Sequence, residues 1–274
     1  MENLFILTDL EGVGGVYEFA QTRERGPKNE RAKILLTEEL NAVISAINEY
    51  NPEIKIHIWD GHGSGGIVKE KLLPIEAFLP SGRIMFHEYF PQHEIDAVLF
   101  VGQHAMAGTP DANLSHTMSS RTAEYYKLNG VEIGEFGLRA YLSGELGVPT
   151  IFISGDDKAC AEAKALIPEI VTCAVKTSVG LERAESLPFD EIYSALKTSI
   201  VAALDKSHDI LPPVIEPPVE FEIKKKEGNW VGSGIGLIDK ILRRDQFPRY
   251  KRLDKGHIIW NAESMVQLEK IKKI

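Results

Sequence analysis

The stretch Leu4–Gly15 reads LFILTDLEGVGG, and the rest of the chain is organised around it. Leu4, Phe5, Ile6, Leu7 and Thr8 form a run of apolar and β-favouring residues, the pattern of a strand buried on both faces. The run ends in Asp9-Leu10-Glu11 and a glycine-rich turn. In an extended backbone side chains alternate, so Asp9 and Glu11 point to the same side. Two adjacent carboxylates repel and raise each other's pKa unless a cation sits between them. Either the strand end is a metal platform, or both acids face water at a sheet edge.

Working outward, Ala32, Leu35, Leu36, Leu40, Val43, Ile44 and Ile47 recur at helical spacing and predict a helix over Asn29–Glu49, after a charged, glycine-containing loop at Tyr17–Gly26. Ile54, Ile56 and Ile58 alternate over Glu53–Trp59 and predict a strand. Strand, helix, strand is the βαβ unit of a parallel sheet. The second strand runs into Asp60-Gly61-His62-Gly63-Ser64-Gly65-Gly66. Gly61, Gly63 and Gly66 satisfy a dinucleotide fingerprint literally, but no long helix follows before Pro74, as that motif requires. Flexible glycines would equally let His62 reach a metal, or leave it an ordinary loop histidine.

Strands are expected at Arg83–His87 and at Ile95–Gly102, the second continuously apolar and ending in Gly102-Gln103-His104. A small, polar loop leads to Ser115-His116-Thr117-Met118. Ligands of open α/β sheets bind beyond the carboxyl ends of the strands, which puts Asp9, Glu11, His62 and His104 on one rim. Glu124–Ile133 reads as a hairpin turning at Asn129-Gly130. A helix is expected over Glu135–Gly147, with Glu135 in its first turn, where an acid also suits the helix dipole. A strand at Val148–Ser154 and a helix at Asp156–Leu166 follow, one of Asp156 and Asp157 serving as N-cap. From Pro168 the pattern changes: a strand at Ile170–Lys176, a helix at Phe189–Lys206, a strand at Val219–Lys225, a helix at Val231–Leu242, a β segment at Tyr250–Trp260 and a closing helix at Glu263–Ile271. The fold class expected is α/β, a mostly parallel sheet flanked by helices. Residues 1–168 would form the metal-binding domain, and 169–274 a smaller α+β domain shaping the pocket and oligomer contacts.

Composition narrows the function. With 274 residues, 43% hydrophobic and 26% charged, the chain can bury a substantial core. A net charge of −9 argues against nucleic acid and anionic membrane as partners. No apolar run reaches the roughly 20 residues of a membrane helix, and MENLFILTD lacks the basic region of a signal peptide. Cys160 and Cys173, in a predicted helix and strand, read as reduced, buried thiols; a cytoplasmic protein is expected.

Asp9-x-Glu11, the glycine-flanked His62, Gly102-Gln103-His104-Ala105, Ser115-His116-Thr117-Met118 and Gly134-Glu135-Phe136-Gly137-Leu138, with Gly155-Asp156-Asp157 behind them, resemble the zinc D-aminopeptidases of the DppA type. The resemblance runs from the opening strand to the closing helix and is strongest over the first ~165 residues. It implies that Asp9, Glu11, His62, His104 and Glu135 hold two zinc ions per subunit, with Asp9 bridging, and that His116 is the catalytic histidine. It also implies a ring-shaped homo-oligomer and release of the amino-terminal residue from short D-amino-acid peptides.

The residue chemistry agrees. Imidazole and carboxylate suit zinc, with manganese or cobalt as possible substitutes. Two ions ~3.5–4 Å apart would leave positions for water and a scissile carbonyl. Three rivals remain at this level: a nicotinamide-dependent dehydrogenase using Gly61–Gly66, a metal-dependent phosphoesterase or amidase on the same centre, and a non-catalytic peptide- or metal-binding protein. The phosphoesterase lacks a basic residue near His62 or His104, Arg121 excepted. His57, His87, His93, His208 and His257 read as structural or surface residues.

Overall fold

The structure, a computed structural model, describes residues 1–232 and 248–271. Its first strand, β1 (Asn3–Thr8), is buried along its whole length. It pairs in parallel with β2 (Lys55–Asp60) on one side and β4 (Ala97–Gln103) on the other. With β3 (Ala77–Leu79), β7 (Thr150–Asp156), β8 (Val171–Gly180) and β9 (Arg183–Ser186), they make a seven-stranded sheet ordered β3-β2-β1-β4-β7-β8-β9. Only the edge strand β9 runs antiparallel.

The strand order reverses direction between β1 and β4. From β1 the chain passes through α2 (Pro27–Tyr50) to β2; from β4 it passes through α4 (Glu135–Glu145) to β7 in the opposite direction. Parallel crossovers are right-handed, so the two helices cover opposite faces and a crevice opens where the order switches. On one face α2 packs along α6 (Phe189–Asp205). On the other, Phe5 meets Phe86 and Phe90 of α3 (Phe86–His93), and Phe100 meets Phe136 of α4.

A second, antiparallel sheet has the order β11-β12-β10-β5-β6. Its members are the hairpin β5 (Ala123–Leu128) and β6 (Val131–Glu132), then β10 (Val219–Lys225), β11 (Arg249–Asp254) and β12 (His257–Ala262). Asn129 and Gly130 both take positive φ, 47° and 80°, as a two-residue hairpin turn demands. This sheet therefore joins a hairpin from the middle of the sequence to strands from its last third. The expected boundary at 168/169 lies between β7 and β8, which pair with each other in the large sheet.

Several local expectations change. Arg83–His87 is not a strand: Phe86 and Phe90 lie one helical turn apart, and both rings pack on Phe5. The parallel partner on that edge is instead the three-residue β3. The loop at Tyr17–Gly26 contains α1 (Phe19–Arg23), where Gln21 Oε1 accepts the backbone N–H groups of Tyr17 and Glu18. The closing helix shortens to α7 (Met265–Glu269). The helix expected at Val231–Leu242 lies, but for its first two residues, outside the described residues.

Two glycines set the crevice. A Cβ on Gly12 would sit 2.1 Å from the carbonyl oxygen of Gln103, and one on Gly102 would sit 2.2 Å from that of Asp9. Gly102 also needs its positive φ of 76°. The ends of β1 and β4 thus approach more closely than side chains permit, which brings Asp9 and Glu11 beside His104.

Candidate metal centre

Each expected donor is delivered by a strand or helix end at the switch point. Asp9 and Glu11 follow β1, His62 follows β2, His104 follows β4, and Glu135 opens α4. His116 lies in the loop before β5, between Leu114 and Met118, which take positive φ of 52° and 61°. Non-glycine residues rarely adopt that region, so this loop is held by its contacts. Leu114 donates its N–H to Leu181 O at 2.7 Å, and Met118 donates to Glu135 Oε1 at 2.7 Å.

The six side chains form two groups, Asp9, Glu11 and His62 in one and His104, His116 and Glu135 in the other, the donor atoms of each lying within 4.8 Å of one another. Asp9 joins them: Oδ1 is 3.1 Å from His62 Nδ1, and Oδ2 is 3.1 Å from His104 Nε2. Glu11 Oε2 is 3.2 Å from His62 Nδ1, and Glu135 Oε1 is 3.5 Å from His104 Nε2 and 3.7 Å from His116 Nε2. The rings of His104 and His116 stack, with centroids 3.9 Å apart.

The far nitrogen of every imidazole faces a backbone carbonyl. His62 Nε2 donates to Thr22 O at 3.0 Å, His104 Nδ1 to Ala105 O at 2.8 Å, and His116 Nδ1 to Leu114 O at 2.9 Å. A carbonyl only accepts, so these nitrogens carry protons, and in the neutral imidazoles the inner nitrogens present lone pairs. Those lone pairs point at carboxylate oxygens, acceptor against acceptor. Glu11 Oε2 and His104 Nε2 are buried without a hydrogen-bond partner. A cation resolves the conflict, and a donor set of imidazole and carboxylate fits zinc, manganese or cobalt.

The electrostatics point the same way. Burial resists charging His62, but Glu11 and Asp9 outweigh it and raise its pKa to about 11. His104 is likewise raised against burial by Asp9 and Glu135, while these histidines hold Asp9 well below the usual carboxylate range. Glu135 is lowered against its burial by His104 and Arg139. His116 moves the other way, lowered by burial and by its neighbour His104. The carboxylates demand positive charge, and His116 is the imidazole least able to supply it.

A D-aminopeptidase family model matches residues 3–271. The chain belongs to the D-aminopeptidase family. As a member, it is a peptide hydrolase. The D-aminopeptidase of Bacillus subtilis (strain 168) is 32% identical over 220 residues, 78% of this chain and 77% of that protein. Among solved structures, the Zn-dependent D-aminopeptidase DppA from Bacillus subtilis, a self-compartmentalizing protease, aligns with a TM-score of 0.80 at 24% identity, covering 98% of this chain and 94% of its own. That likeness establishes the fold.

Within this D-aminopeptidase fold Asp9, Glu11, His62, His116 and Glu135 line a cleft of about 370 Å³ with Thr22, Arg23, Gly61–Ser64, Met118–Arg121 and Arg139, and His104 is buried behind them. Arg139 Nη1 donates to Glu135 Oε2 at 3.0 Å, fixing the carboxylate whose other oxygen faces the histidines. Its spacing of four residues on a helix was the one sequence signal for it. Arg23, Arg121 and the backbone carbonyl of Thr22 carried no such signal. Nor did Lys176, buried in β8, whose Nζ donates to Glu11 O, Val16 O and Asn113 Oδ1 and so ties down the turn that carries Glu11.

The glycine run after His62 is not a dinucleotide loop. The N–H groups of Gly66 and Ile67 are taken by the Asp60 carboxylate, and the chain continues into a short 3-10 turn at Lys69–Lys71. The remaining histidines lie elsewhere: His57 meets Tyr89 Oη at 2.9 Å, His87 meets Glu269, His257 meets Glu222, His93 packs on Tyr89, and His208 is exposed. Asp156 is the N-cap of α5 (Asp157–Leu166), accepting from Lys158 N and Ala159 N. Cys160 and Cys173 are buried free thiols.

Proposed function

We propose that the chain is a two-metal aminopeptidase that removes the amino-terminal residue from short D-amino-acid peptides, with Asp9, Glu11, His62, His104 and Glu135 as ligands and His116 as the catalytic histidine. The observation that carries this is the shared orientation of three imidazoles, each anchored outward on a carbonyl and turned inward with a lone pair against carboxylates. Asp9, Glu11 and His62 would hold one ion, and Asp9, His104 and Glu135 the other. Three protein donors per ion leave positions open for catalysis.

When bound, such ions polarise the scissile carbonyl and lower the pKa of water toward neutrality. The protein supplies the proton path. His116 Nε2 keeps a free lone pair because Nδ1–H is committed to Leu114 O. It is placed to take a proton from the attacking water and return it to the leaving amine. Stacking on His104 and the strained loop between Leu114 and Met118 hold the ring in place. Arg139 and the Met118 N–H keep Glu135 from rotating away.

Zinc as the resident metal, a stoichiometry of two per subunit and a ring-shaped homo-oligomer belong to the same proposal; family membership supports them, as does the likeness to the Zn-dependent, self-compartmentalizing Bacillus subtilis protein. The antiparallel sheet is proposed to shape the pocket and contribute oligomer contacts. Among the described residues no helix is long and apolar enough to cross a membrane.

The test is hydrolysis of paired D- and L-alanyl amides and dipeptides by metal-stripped and metal-reloaded protein. Reloading restores D-selective cleavage. His116→Ala keeps its metal but loses roughly 100- to 10,000-fold in kcat, the range expected for a lost general base. Activity in His116→Ala equal to wild type would remove that residue from the reaction.

A further inference from the structure

The cleft holds three arginines, and one of them is already committed: Arg139 pairs with Glu135 and lies over Trp59. Arg23 stands differently. Its guanidinium lies 3.2 Å from the centroid of the Phe19 ring, which fixes its plane, yet Nε and Nη2 are buried without a hydrogen-bond partner. Buried N–H donors on a permanent cation are costly to leave unpaired. Glu11 and Glu182 are the carboxylates near enough to act on Arg23. Neither hydrogen-bonds it: Glu182 accepts the N–H of Phe19, and Glu11 faces His62.

Arg121 lines the same cleft, and among the described residues it makes no hydrogen bond or ion pair. It is close enough to Arg23 that its charge, after burial, works to lower the Arg23 pKa. Both guanidiniums line one cleft, Arg121 exposed and Arg23 with buried, unpartnered donors, and an anion between them would satisfy those donors. The fork of N–H groups on each matches a carboxylate in particular.

The acid-rich donor cluster lines the same cleft, so the cavity offers carboxylates as well as guanidiniums. A short unblocked peptide carries the complementary charges. We propose that Arg23 and Arg121 anchor the free α-carboxylate at the carboxyl end of the substrate while its amino-terminal peptide bond lies at the metal centre. This rests on the aminopeptidase reading and deepens it. A cleft of about 370 Å³ is at the small end for ligand sites, so the anchor selects peptides of two or three residues and rejects those with a blocked carboxyl end.

The test compares a D-alanyl dipeptide with the same dipeptide as its carboxyl-terminal amide, on metal-reloaded wild type, Arg121→Gln and Arg23→Gln. Wild type is expected to prefer the free acid by roughly 10- to 100-fold in kcat/KM, mainly through KM. Each variant should lose most of that preference, with a much larger fall in kcat/KM on the acid than on the amide. Arg121→Lys and Arg23→Lys should recover part of it, because charge remains but the fork does not. Calorimetric titration with the reduced-amide analogue (CH2–NH in place of the peptide bond), as free acid and as amide, reads the same preference without turnover.

Equal cleavage and equal binding of acid and amide by wild type would overturn the anchor while leaving the aminopeptidase reading intact. Equal losses on both substrates in the variants would make the arginines structural and also overturn it. Absence of D-peptide cleavage, with turnover of p-nitrophenyl phosphate that the variants abolish, would overturn both readings and assign the arginines to a phosphate.

Discussion

Two strand ends in this protein carry donors on glycine-rich turns, and they are built on different principles. The turn after β1, Gly12–Gly15, is closed from every side. Gly12 and Gly102 touch backbone where a Cβ would be, Lys176 donates to Glu11 O and Val16 O, and Glu39 Oε1 accepts the N–H of Gly14 at 2.8 Å. The turn after β2, Gly61–Gly66, is closed mainly by Asp60, and a Cβ on Gly63 would meet nothing within 4 Å. The first turn holds two carboxylates that repel, and needs a rigid frame. The second holds one imidazole, which Thr22 O and the carboxylates orient from outside. In the second turn Gly61 still serves close approach, a Cβ there falling 2.6 Å from Thr8 O, while Gly63 has open space around it.

The largest effect that would break this contrast belongs to Gly12→Ala. A new Cβ 2.1 Å from a backbone oxygen has no flexible neighbour to displace, so the strand ends must part. A loss of at least ~3 kcal/mol in stability, or no soluble protein, is expected in urea unfolding. Lys176→Met comes next. It leaves Glu11 O, Val16 O and Asn113 Oδ1 without their donor in a site that is 1% exposed. Destabilisation of ~2–4 kcal/mol and weakened metal retention should follow, measured by unfolding and elemental analysis.

How far these features were legible depends on their range. β1, α2, β2, β4, the Asn129-Gly130 hairpin, α4, β7 and α5 were readable because periodicity and turn chemistry are local. Asp9, Glu11, His62 and His104 could be placed on one rim because each follows an expected strand, whereas Glu135 and His116 entered with the family resemblance. The apolar residues Ile84, Met85 and Phe86 misled toward a strand, since a short helix one turn longer than its apolar pair has too little periodicity to declare itself. The division of strands between sheets was not readable, because pairing partners are chosen by tertiary packing: β5 joins β10 across some 90 residues, in register Phe221 with Leu128. In the sequence Lys176 was only the last residue of the strand expected at Ile170–Lys176. Only the fold shows that its place in β8 is over the turn that bears Glu11.

A smaller effect sharpens the comparison through pH. Burial raises the Glu39 pKa to about 8, so the native state holds a proton that the unfolded chain has released from its ordinary value of 4.5. Stability should therefore fall as pH rises from 4.5 toward about 8. Glu39→Gln should flatten that slope, by an amount on the order of a few kcal/mol across the window, in urea midpoints taken at stepped pH. An unchanged slope would mean that Glu39 is ionised throughout. The smallest effect is expected of Gly63→Ala, within ~0.5 kcal/mol of wild type and with full metal content. A large loss there would show that the second turn is as tightly framed as the first.

The central claim is that two carboxylate–imidazole groups sharing Asp9 hold a pair of cations. Anomalous diffraction at the zinc absorption edge, from crystals of zinc-reloaded protein, tests it directly. Two peaks are expected in the cleft, one among Asp9, Glu11 and His62 and one among Asp9, His104 and Glu135, with His116 beside them and both peaks lost in Asp9→Ala. A single peak, or peaks remote from Asp9, would contradict it.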